Sequence, residues 1–268
     1  MCVFGIILGV ATLLLDDKVP GTKQFLNETN LIIMQVINIL MKAFPMAIVY
    51  WMVLGGIQLR FPKRLISQLL WFFVTALAGF VIMLFVVHAG VYLFVVRKNP
   101  FTFYKKISPA IILALGTASS AITLPVTIDS MEKNVKLPES ITRFVLPLGM
   151  NVHMNGFALY YPMVILFVAQ MHGMDVGLQH MFILTIMTLV MSVAIPAISS
   201  GGAVIVTFVA FCASIGIENP LDVLAYTTTA DWIMSRLRTA TNVIGDCFVA
   251  AIVAKHCVAS TPQNEGLV

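Results

Sequence analysis

Two apolar stretches, Leu31 to Leu59 and Leu65 to Val96, exceed the about 20 helical residues needed to cross a bilayer core of roughly 30 Å. They predict two ordinary membrane spans with length to spare for tilt. The charged runs Arg60 to Arg64 and Arg97 to Lys106 predict the aqueous loops that follow each of them. Ahead of both, Val3 to Leu15 is apolar but lacks a basic start and a small-residue cleavage site. It reads as part of a helix cut short rather than as a signal peptide.

From Pro109 onward, small and polar residues interrupt the apolar runs at mid-length. Pro109 to Ala114 and Ile122 to Val126 are short arms flanking Gly116 to Ser120, and neither arm can span alone. Phe182 to Ile217 repeats the design around Pro196 to Gly202. Each predicts a re-entrant helical hairpin, because unpaired backbone at membrane depth is tolerated only inside protein or beside a water-filled cavity. Each hairpin precedes a span with its own polar interruption. Ile141 to Gln170 is broken by Gly149 to Gly156, and Val223 to Cys257 carries Asp231, Arg236, Arg238, Asn242 and Asp246. Paired interrupted segments point to an inverted-repeat transporter with its site near the midplane.

Composition agrees. Hydrophobic residues make up 59% of the 268 and charged residues 10%, against about 45–50% and about 25% in soluble domains. A soluble fold cannot cover that much apolar surface. The net charge of +4 is scattered over loops and segment ends, which fits juxtamembrane anchoring and excludes a nucleic-acid patch. Cys2, Cys212, Cys247 and Cys257 show no metal or redox spacing and read as buried thiols. With the C-terminus inside, Arg97 to Lys106 and Lys133 to Lys136 fall inside, following the positive-inside tendency; Arg60 to Arg64 falls outside, against it. The same topology puts Asn27 inside, so its glycosylation match reads as spurious.

The last span carries the chemistry. At about 100° per residue, Asp231, Ser235, Arg238, Thr239, Asn242 and Asp246 share one stripe, which must face something polar. One reading is an internal salt-bridge network. The other assigns Arg238 to a substrate carboxylate through its planar fork, and Asp246 with Asn242 to a hard cation that takes oxygen ligands. Ser119 and Ser120 at the first tip, and Ser199 to Gly202 at the second, offer small side chains and free N–H groups suited to an anion, or simply close helix packing. Carbonyls freed around Gly149 to Gly156 suit sodium. His153 can relay protons, pair with a carboxylate or hydrogen-bond; His88, alone in an apolar helix, reads as structural. An intramembrane aspartyl protease needs two facing carboxylates. Asp231 and Asp246 lie roughly 22 Å apart on one helix, so no enzyme is expected.

Thr117 to Thr127 (TASSAITLPVT), Leu148 to Gly156 (LGMNVHMNG), Asp231 to Thr239 (DWIMSRLRT) and Asn242 to Asp246 (NVIGD) together resemble the glutamate transporter family, the dicarboxylate/amino acid:cation symporters. The resemblance runs from near Met1 to about Cys257. It implies an all-α membrane protein, a homotrimer of elevator-type transporters with two re-entrant hairpins and broken helices. Residues 1–64 would be a partial oligomerising scaffold and 65–268 the moving transport domain.

In that resemblance Arg238 holds the substrate's distal carboxylate, while Ser119, Ser120, Ser235, Thr239, Asn242 and Gly202 line the remainder. Asp246, Asn242 and the carbonyls of Gly149 and His153 bind one sodium ion. Ser192 and the Met154 carbonyl help bind a second, and the second hairpin is the gate. Arg236, with no arginine in the first tip, is the eukaryotic arrangement and implies a plasma membrane.

Four departures stand out. Ser235 replaces an aspartate that pairs with a substrate ammonium, which favours an amine-free C4-dicarboxylate over glutamate or aspartate. Asn155 replaces a carboxylate ligand of a third sodium, with His153 and Phe157 also differing from the family motif. Ser199 stands in place of a proline. Val3 to Leu15 resembles the end of the family's fourth helix, implying a fragment or truncated gene model. The expectation is therefore a sodium-coupled symporter of acidic amino acids or dicarboxylates; the alternative is an uncoupled pseudo-transporter with a structural or anion-leak role.

Overall fold

A computed structural model describes residues 63–195, 201–217 and 224–259 continuously, together with position 220 and isolated positions between 9 and 46. The chain divides into two compact units, Met1–Gly56 and Ile57–Val268. The second holds the continuous stretches 63–195, 201–217 and 224–259. The expected span Leu31 to Leu59 and the tip at 196–200 lie outside the described residues, apart from isolated positions.

Among the described residues of this unit the secondary structure is helical, with no strand. Helix α1 (Lys63–Ile82) runs into a π-helical turn (Met83–His88) and then α2 (Ala89–Val95). Here the long apolar span differs from expectation, since it carries a π turn, which is frequent at functional sites. The predicted loop Arg97 to Lys106 is likewise corrected: α3 (Pro100–Lys106) forms within it. Asn99 accepts a hydrogen bond from the Phe101 N–H at 2.8 Å and Pro100 sits in the first turn, a strong helix start.

Helices α4 (Ser108–Thr117) and α5 (Ser120–Asp129) pack on each other as the two arms of a hairpin. The reversal falls at Ala118, whose φ of 50° is left-handed and costs about 1–2 kcal/mol for a residue with a Cβ. A second π-helical turn (Ser130–Val135) leads to α6 (Glu139–Val152), and α7 (Asn155–Met171) follows after His153 and Met154 leave helical geometry. The predicted break is thus present, two residues wide. Helices α8 (Leu178–Ala194) and α9 (Gly201–Ser214) pack together.

Helix α10 (Leu224–Ala259) is continuous over 36 residues, so its polar residues project from unbroken backbone at helical spacing. It packs against α4, α6 and α7. Buried Ala240, Ala250, Ala251 and Ala254 keep its surface low enough for close approach. Tyr92, Phe103 and Phe248 stack beside them, with Phe103 and Phe248 centroids 4.9 Å apart. The Lys255 ammonium donates to the Val95 carbonyl at 2.6 Å, placing a positive charge at the C-terminal end of α2. Three described stretches, Ser67–Val95, Glu139–Met171 and Ala230–Cys257, are long and apolar enough to cross a membrane.

Candidate functional site

The stripe on α10 faces inward. Ser235, Arg238, Thr239, Asn242 and Asp246 are all buried, with Arg238 at 9% exposure and Asp246 at 3%. The Arg238 guanidinium donates from Nη1 to Oδ1 of Asp231 at 2.9 Å. Its Cζ lies 5.3 Å from the ring centroid of Tyr160 and 5.5 Å from that of Tyr161, within cation–π range. So the internal salt bridge exists, and it engages Nη1 of a guanidinium that carries five N–H donors. The Tyr160 hydroxyl oxygen is buried without a hydrogen-bond partner among the described residues.

The break between α6 and α7 is set against α10 by glycines. A Cβ on Gly156 would collide with the Arg238 carbonyl oxygen and lie 2.8 Å from its carbon. Only glycine lets the start of α7 lie on that backbone. The Gly156 N–H donates to Oδ1 of Asn242 at 2.7 Å, tying an N–H freed at the helix start to the stripe. One turn along α10, Oδ1 of Asp246 lies 2.9 Å from Nδ1 of His153. The same oxygen would lie 2.7 Å from a Cβ on Gly149.

Gly149, His153, Asn155, Asn242 and Asp246 are thereby brought to one place. Asn155 has a further partner, its Nδ2 standing 2.9 Å from Nε2 of His88. His88, read from the sequence as structural, is buried and meets Asn155 across 67 residues of chain. Among the described residues no three His, Cys, Asp or Glu side chains converge as a metal-binding group. The oxygens of Asp246 and Asn242 and the carbonyls of the break are the donor type a hard monovalent cation takes.

The other predicted residues are placed as follows. Ser119 and Ser120 are buried at the start of α5. Ser119 accepts from Ile122 N–H, while its carbonyl takes the Thr123 hydroxyl at 2.8 Å. The Ser235 hydroxyl donates to the Trp232 carbonyl at 3.2 Å. Ser192 lies on α8 and donates to the Leu189 carbonyl, and Met154 is buried in the break. Gly202 is in the first turn of α9; Ser199 lies outside the described residues.

Outside the spans, Glu132 accepts from Arg143 at 3.2 Å and Thr142 at 2.8 Å. These hydrogen bonds, Arg143's first, hold its carboxyl below the usual range. Asp129, 2.5 Å from Lys133, raises that ammonium. Burial pushes the Tyr104 phenol up to about 12, and its hydroxyl donates to the Leu84 carbonyl.

Residues 1–256 match the sodium:dicarboxylate symporter family. The chain belongs to that family. Similar proteins include the human excitatory amino acid transporter 2, 35% identical over 255 residues that cover 93% of this chain and 43% of the relative. Excitatory amino acid transporter 1 of Ambystoma tigrinum is 34% identical over 254 residues, 94% and 45% of the two chains. That of Mus musculus is 32% identical over 253 residues, again 94% and 45%. The chain spans less than half the length of these curated relatives. Membership of a symporter family agrees with the resemblance read from the motifs.

Sequence reasoning missed Tyr160 and Tyr161 as partners of Arg238, and His88 as a partner of Asn155. The tyrosines sit in an apolar helix where aromatics ordinarily mean core. A clue was available: two adjacent phenols, in the helix that follows the break.

Proposed function

We propose that this chain belongs to a sodium-coupled symporter that carries acidic amino acids or C4-dicarboxylates across a membrane by an elevator movement. The observation that carries the reading is the buried Arg238, held by Asp231 and flanked by two tyrosine faces beside a broken helix. A guanidinium buried at bilayer depth is costly and is kept where it pairs or meets a ligand. A small dianion offers one carboxylate to the free side of the fork, with the Tyr160 hydroxyl as a further donor. Ser119, Ser120, Ser235, Thr239, Asn242 and Gly202 line the rest of the substrate.

Sodium is cargo in this scheme. Asp246, Asn242 and the carbonyls of Gly149 and His153 take one ion, and Ser192 with the Met154 carbonyl helps take a second; Asn155 in place of a carboxylate argues against a third. The α4–α5 and α8–α9 pairs act as re-entrant hairpins, the second as gate. Residues 1–64 serve as scaffold and 65–268 as transport domain, in a homotrimer of the plasma membrane. The relatives' names support the substrate class, since they are excitatory amino acid transporters.

Counterflow in vesicles containing the full chain tests this. Radiolabelled succinate, aspartate and glutamate are offered with and without a sodium gradient, and at least one accumulates only with sodium. Absence of sodium-dependent uptake of all three refutes it. The uncoupled reading draws on one observation, that the side-chain oxygens of Asn242 and Asp246 already accept internal hydrogen bonds. It predicts that dicarboxylate with sodium leaves proteolysis of the second hairpin unchanged.

A further inference from the structure

Two polar pairs meet over Gly245. A Cβ there would lie 2.6 Å from Nδ2 of Asn155, 2.9 Å from Cε1 of His153 and 3.4 Å from Nε2 of His88. Glycine at 245 is therefore what lets the His153–Asp246 pair and the His88–Asn155 pair share one floor. Nδ1 of His153 stands 2.9 Å from Oδ1 of Asp246, where the ring can donate to the carboxylate.

An ionised carboxylate buried to 3% exposure is stabilised by a cation or by strong donors around it. Here the chain supplies the donor itself. The ring lies over Gly245, beside the glycine face that Asn155, paired with His88, also covers. Such a tethered, preorganised group competes at high effective concentration. The carboxylate also fills the space left by the missing side chain of Gly149, its Oδ1 lying 2.7 Å from where a Cβ would stand. For a cation to gain that oxygen, the ring has to move.

We infer that His153 is a built-in competitor for the cation at Asp246: the imidazole occupies the position against the carboxylate that a co-transported sodium ion would take, and sodium binds there only by displacing it. The inference rests on the reading of Asp246 as a cation ligand given above. A ring with a merely structural role would, when removed, loosen the break and weaken every ligand. A competitor, when removed, tightens sodium.

Sodium binding separates the two without any transported substrate. Binding of radioactive sodium to the purified full chain is measured by scintillation proximity for the unaltered protein, His153→Ala, His153→Ser and the double variant His153→Ala with Asp246→Asn. Removing the ring lowers the half-saturating sodium concentration about tenfold or more, the scale of one hydrogen bond to a charged group, and Asp246→Asn abolishes that gain. A half-saturating concentration unchanged or raised in the His153 variants overturns the inference. So does a lack of saturable binding in all four proteins. In the unaltered chain, diethyl pyrocarbonate labelling of His153, mapped by mass spectrometry, rises with added sodium; an unchanged rate at saturating sodium overturns the inference even if the variants do not fold. Tightened sodium binding without uptake of any dicarboxylate leaves the inference standing and removes the transport reading alone.

Discussion

Arg238 reaches back two turns of its own helix to Asp231, closing a 2.9 Å ion pair over a rise of about 10.5 Å. Both side chains are largely buried, at 11% and 15% exposure, so this is a pair whose loss leaves a charge stranded. Removing one partner of a buried pair costs about 3–5 kcal/mol. Asp231→Asn therefore lowers the melting temperature, and an added dicarboxylate restores the missing partner. The thermal shift on adding aspartate or succinate is larger in Asp231→Asn than in the unaltered chain. Equal shifts would mean that Arg238 does not meet the ligand.

Gly156 holds the break against α10. In Gly156→Ala the new methyl meets backbone rather than a flexible side chain, so the helices must separate. Overpacking of this kind costs about 1–3 kcal/mol. It is read as a lower melting temperature in detergent, together with weaker substrate binding because Arg238 belongs to the displaced backbone. An alanine variant with unchanged stability would contradict the close approach.

Asn242→Leu keeps the volume of the side chain while removing the acceptor of the Gly156 N–H. An orphaned buried N–H costs about 1–3 kcal/mol. The cost overlaps that of Gly156→Ala because both act on one contact, so the double variant loses less than the sum of the single ones. Additive losses would show that the two residues act separately.

Glu132 gives the fold an acid sensitivity outside the spans. Its carboxyl is held below the usual range by Arg143 and then Thr142. A group whose folded value is depressed contributes stability that is full above its unfolded value and is lost as pH falls through the folded one. Unfolding followed against pH shows the unaltered chain ahead of Glu132→Gln at neutral pH, with the gap closing below the ordinary carboxylate range. A gap independent of pH would contradict the assignment.

Much of this was legible in the chain because membrane depth penalises exceptions. The stripe on α10, the break at His153 and Met154, and the α4–α5 reversal all follow from polar or small residues placed where apolar ones belong. Other features had no local signature. The π turn at Met83–His88 lies in an unbroken apolar run, and the His88–Asn155 pair depends on packing between segments far apart in sequence. Helix α3 was readable in principle from Asn99 and Pro100, but the basic residues around it pointed to a loop.

The central claim is that Arg238 receives a carboxylate of an anionic substrate in the presence of sodium. Calorimetric titration of aspartate, glutamate and succinate into the full chain in lipid nanodiscs, with sodium or with choline, tests it in the unaltered protein and in Arg238→Gln. The account predicts saturable heat with sodium for at least one of these acids, and its loss in Arg238→Gln while the protein remains folded. Equal binding by the two proteins, or none by the unaltered chain at any sodium concentration, would contradict it.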